Sequence, residues 1–123
     1  MITWSHEQYL EIEALKKKIN QTTVALFKKS LELNDKDKGF HVFISNSGHV
    51  NSLEIHLHLN QFEYDSGPEP IIISRFYLDT YDFFTPELMI QNLNKNLENA
   101  KQALKSLIEH HKKWLKENNH EKT

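Results

Sequence analysis

The sequence predicts an α+β fold of order α-β-β-β-α, an antiparallel three-stranded sheet joined to two long heptad-patterned helices. Three observations carry this reading. Apolar residues recur at three- and four-residue spacing near both ends of the chain. Between them lie three short runs rich in β-branched and aromatic residues. Turn-forming residues separate every pair of elements.

The first helix is predicted over about residues 6–34. Ser5 and Gln8 have the spacing of a capping box, and Trp4 and Tyr9 stand where a hydrophobic staple would close. Ile12, Leu15, Ile19, Thr22 and Leu26 form a heptad seam, and Leu10, Ala14, Val24, Phe27 and Leu31 widen the apolar surface. The run Asp35-Lys36-Asp37-Lys38-Gly39 ends the helix in a turn.

Strands are predicted over about 40–45, 52–60 and 71–78. In the second, Leu53, Ile55, Leu57 and Leu59 alternate with Glu54, His56, His58 and Asn60, the pattern of a half-buried strand. A type II′ turn at Gly48-His49 would pair Ile44 with Leu53, Val42 with Ile55 and Phe40 with Leu57. The inward set is then Val42, Ile44, Leu53, Ile55, Leu57 and Leu59. A longer loop, Asp65 to Pro70, makes the second connection, and pairing Tyr64 with Ile71 would bring Asp79 opposite His56.

The last helix is predicted over about 86–117, with a polar tail at 118–123. Thr85 suits the N-cap, Pro86 the first helical position and Glu87 the first turn; Phe84 and Met89 suit a staple. Its seam runs Ile90, Leu93, Leu97, Ala100, Leu104, Leu107, His111, Trp114. Both helices are longer than an eight-residue strand of roughly 27 Å. If each strand reverses direction, the helices run parallel. Their seams, with Leu97, Leu104, Leu107 and Trp114 foremost, could then zip within the chain, self-associate, or receive a partner protein.

Composition narrows the function. The 123 residues suit a single domain, and there is no cysteine, which removes disulfides and thiolate chemistry. No segment reads as a signal peptide or a membrane span, so a cytoplasmic protein is expected. Arg75 is the sole arginine, and the frequent Asn, Lys and Ile suggest AT-rich coding, as in low-GC bacteria and their phages. Net charge is −2, yet residues 40–87 carry −6 and residues 88–123 carry +3.

Four functional readings follow. Glu63, Asp65, Glu69, Asp79 and Asp82, interleaved with aromatics including Tyr77, form an acidic surface suited to a basic partner. That reading fits an inhibitor from a phage or mobile element, acting on a nucleic-acid-handling host protein. The heptad seams fit a homo-oligomer. His41, His56 and His58, with Asp79 near, would suit a zinc ion able to activate water for hydrolysis. Lys101, Lys105, Lys112, Lys113 and Lys116 on the last helix could touch a nucleic-acid backbone. The element order resembles that of double-stranded-RNA-binding domains in topology alone; these helices are longer, and the last starts without a lysine cluster. Net acidity argues against nucleic acid. Phosphate-loop, dinucleotide and nucleophile-elbow motifs are absent. A protein-binding or assembly protein, with no required cofactor, is therefore expected ahead of an enzyme.

Overall fold

Ser5 opens the first helix in the way its spacing predicts. Its hydroxyl accepts the Gln8 N–H at 3.0 Å, and the Gln8 side chain accepts the Ser5 N–H at 3.2 Å. In the computed structural model, which describes residues 5–35, 39–47, 51–59, 71–80 and 84–117, the elements are α1 (His6–Leu33), β1 (Phe40–Ser47), β2 (Ser52–Leu59), β3 (Ile71–Tyr77) and α2 (Pro86–Glu117). Trp4, the Gly48-His49 turn, the Asp65–Pro70 loop and the tail lie outside the described residues. The sheet is antiparallel in the order β1-β2-β3.

The two helices run parallel. At one end the Gln8 side chain donates to Glu87 Oε1 at 2.9 Å, joining the first turns of α1 and α2. At the other end Phe40, just past α1, packs on Trp114 near the end of α2, with ring centroids 5.3 Å apart. Thr85 caps α2 by accepting the Leu88 N–H at 3.3 Å. By a rise of about 1.5 Å per residue, helices of 28 and 32 residues outreach the eight-residue strands.

The core forms where these layers meet. It unites Ile12, Leu15, Ile19 and Leu26 of α1, Leu53, Ile55 and Leu57 of β2, Phe76 of β3, and Leu93, Ala100 and Leu107 of α2. Val42, Ile44 and Leu59 pack against it half-buried, so the predicted inward set does face the helices. The α1 seam differs by one position: Thr23, not Thr22, is buried. Its hydroxyl donates to the Ile19 carbonyl at 2.8 Å. The buried series Ile12, Leu15, Ile19, Thr23, Leu26 and Ser30 follows the 3.6 period of a straight helix rather than a strict heptad.

The first hairpin departs from its predicted register by two residues. Phe40 pairs with Leu59, Val42 with Leu57 and Ile44 with Ile55. The connection is longer than a two-residue turn, with Ser47 opposite Ser52 and Asn51 in the left-handed region at φ 50°. Asn tolerates that region, which gives the longer loop its closing residue. A shift of two keeps every side chain on its face, because strand periodicity is two.

The second hairpin is corrected more deeply. Ile71 pairs with Leu57 rather than Tyr64, a register seven positions away, so Ile72, not Asp79, lies opposite His56; a bulge between Ile55 and His56 then shifts the ladder by one. Asp79 lies beyond β3, where it meets Lys16 of α1 at 3.3 Å and accepts the Thr80 N–H at 2.8 Å.

Candidate interaction surfaces

β1 is one edge of the sheet, and its outer side is half closed. Phe40 exchanges two backbone hydrogen bonds with Asp35, at 2.7 and 2.9 Å, so the N–H and C=O of Phe40 point away from β2. By alternation the same holds for Val42, Ile44 and Asn46. The Val42 N–H donates to Asn34 Oδ1 at 2.9 Å. Beyond it, the outward N–H groups of Ile44 and Asn46 meet no acceptor among the described residues. The opposite edge is tended by α2: buried Asn96 accepts the Tyr77 N–H at 3.1 Å.

Beside the open half of β1 lies an apolar groove of about 220 Å³ between α1 and the strand. Phe27, Ser30, Leu31, Asn34, Val42 and Ile44 line it. Leu31 is 81% exposed, and Val24 and Phe27 are exposed on the same side of α1 at helical spacing. The sequence marked Val24, Phe27 and Leu31 as apolar helix surface. It did not show that α1 buries the adjacent stripe of Ile19, Thr23, Leu26 and Ser30 and leaves these three exposed.

The face of the sheet away from the helices carries the histidines. His41 lies opposite His58, and Phe43 opposite His56. The Phe43 and His58 rings meet edge to face at 5.0 Å. Burial, then the nearby His56 and His41, push the His58 imidazole below its ordinary value. Glu54 links this face: one oxygen meets His56 Nε2, and the other accepts from Arg75, whose Nε lies at 2.6 Å. Arg75, then His56, hold the Glu54 carboxyl below the usual carboxylate range. The arrangement is a cross-strand charge cluster. His41, His56 and His58 thus share a face, but among the described residues no three His, Asp or Glu side chains form a metal-ligand group.

The other predicted site residues are placed as follows. Leu97, Leu107 and Trp114 are buried in the chain's own core, and Leu104 is half-buried against it. The α2 seam is therefore occupied by α1 and the sheet. Of the acidic surface, Tyr77 and Asp79 are described, and Asp79 is engaged by Lys16. Glu63, Asp65, Glu69 and Asp82 lie outside the described residues. Lys105, Lys112 and Lys113 are exposed on α2, with Lys113 3.9 Å from Glu117. No helix among the described residues is long and apolar enough to cross a membrane.

Searches with the chain find no matching family model, no matching curated protein and no matching solved structure.

Proposed function

We propose that this chain is a protein-binding and assembly protein that works by contact through the groove between α1 and β1. The observation that carries this reading is the row of exposed Val24, Phe27 and Leu31 beside half-buried Val42 and Ile44, at a sheet edge whose outward donors at Ile44 and Asn46 meet no acceptor among the described residues. Scattered surface apolars are ordinary, whereas a contiguous apolar row joined to a strand edge is the surface chemistry of protein association. A partner there would gain apolar burial and main-chain hydrogen bonds together.

The test places a photoreactive residue at position 31, and a control at exposed Lys105 of α2, in the intact protein inside its producing cells. Protein adducts specific to position 31, whether to another chain or to a second copy, are expected. Adducts absent from position 31, or equally abundant at both positions, would refute the reading.

A further inference from the structure

We infer that the occupant of this groove is a second copy of the chain, joined antiparallel through β1 so that the two sheets become one of six strands. The inference rests on the reading of the groove as a binding surface and adds the partner's identity.

Three observations select a like copy. First, β1 reads Phe-His-Val-Phe-Ile-Ser-Asn-Ser: it has no lysine, aspartate, glutamate, proline or glycine. Soluble proteins protect exposed edges with such residues, and this edge lacks them. Second, charge permits self-pairing. No formally charged side chain lines the groove, and farther along the same side of α1, next to Val24, both signs are present, with Lys16 4.0 Å from Glu13. A neutral surface flanked by both signs meets its own copy without net repulsion. A highly charged partner would gain nothing from this edge.

Third, the hydrogen-bonding capacity fixes one register. Phe40 is paired with Asp35, and the Val42 N–H is taken by Asn34. Ile44 and Asn46 remain. In a two-fold antiparallel contact, Ile44 of one copy therefore faces Asn46 of the other, and both pairs exchange two bonds. The two-fold axis then passes beside Ser45, which lies opposite its own counterpart in a non-hydrogen-bonded pair. Such pairs have Cα atoms about 4.5 Å apart, within the range a disulfide can span. The exposed Val24, Phe27 and Leu31 of the two α1 helices would cover each other across the junction.

The absence of cysteine makes a direct test available. Light scattering of the unaltered protein, over a series reaching millimolar concentration, is expected to approach twice the 14.6 kDa chain mass. Ser45→Cys is expected to form an interchain disulfide under mild oxidation. Ser47→Cys, which this register places opposite Phe43 of the other copy, is expected to form much less. Asn46→Pro removes an outward N–H and no bond to β2, so circular dichroism should be unchanged while dimer affinity falls about tenfold or more. Leu31→Glu should weaken the dimer in the same way.

A monomer throughout the series would overturn the inference. So would a dimer unaffected by both Asn46→Pro and Leu31→Glu, or one cross-linked equally well through positions 45 and 47. A monomer whose position 31 still captures a foreign chain in cells would separate the two claims, leaving the groove as a binding surface for a different partner.

Discussion

Phe40 and Trp114 stand with their rings 5.3 Å apart, fastening the first residue of β1 to the far end of α2. Phe40 is fully buried and Trp114 nearly so, and His111 adds its ring edge-on to Phe40 at 4.9 Å. This aromatic group covers the helix ends where they approach the limit of the sheet. Trp114→Ala is expected to cost about 3–5 kcal/mol of unfolding free energy, measured by urea titration. The Phe40→Ala, Trp114→Ala double-mutant cycle should show a coupling of about 0.5–1.5 kcal/mol. Strict additivity would show that the rings are neighbours without energetic contact.

Acid should destabilise the protein in two windows, one opening below pH 6.5 and the other below pH 4.5. Burial lowers the imidazoles of His58 and His111 from the ordinary value of 6.5, with Asp35 partly opposing the effect at His111. The unfolded chain then binds protons more readily than the folded one. Their contribution is fully present above 6.5 and is lost as pH falls through the folded values. Glu54 acts lower down: its depressed carboxyl contributes above 4.5 and loses that contribution as pH falls below it. Thermal melts across this range should show both declines. His58→Phe with His111→Phe should flatten the upper window and leave the lower one, and an unchanged upper slope would exclude these two groups as its cause.

Asn96 is a buried amide on α2 that serves the edge of β3. It accepts the Tyr77 N–H and donates to Asn92 Oδ1 at 3.4 Å. Asn96→Ala leaves the Tyr77 donor without its partner and should cost about 1–3 kcal/mol in urea unfolding. Hydrogen exchange at the Tyr77 amide should accelerate. If that amide keeps its protection in the variant, Asn96 is not what shields it.

Gly39 closes the turn between α1 and β1 at φ 93°, donating its N–H to the Asp35 carbonyl at 2.9 Å. A side chain is disfavoured in that conformation. Gly39→Ala should lower stability by about 1 kcal/mol or more, despite the smaller entropy of its unfolded chain. A variant as stable as the parent would show that the turn relaxes to negative φ.

The sequence was most informative where a local rule acts alone. Ser5 and Gln8 predict the start of α1, and Thr85 and Pro86 that of α2, because capping needs only neighbouring residues. The inward side of β2 was equally readable from strict alternation. The pairing partners were harder. A two-residue shift preserves alternation, so the pattern at Leu53, Ile55 and Leu57 could not separate one register from the next. The register of β3 on β2 leaves no local signature either, and with it went the placement of Asp79 near His56. On α1, Leu26 and Phe27 look alike as apolar residues. Their separation into core and surface follows from the long-range position of α2.

The parallel run of α1 and α2 also bears on how the chain reaches its native state. Gln8 and Glu87 are 79 positions apart, so no short hairpin can bring the helix starts together. Adjacent antiparallel helices can meet while the intervening chain is still short, but these must await the strands between them. Closure over such distances carries a large entropic cost before the contacts it permits are made. The helix pair should therefore consolidate late, and refolding should be slower than for a helical bundle of similar length.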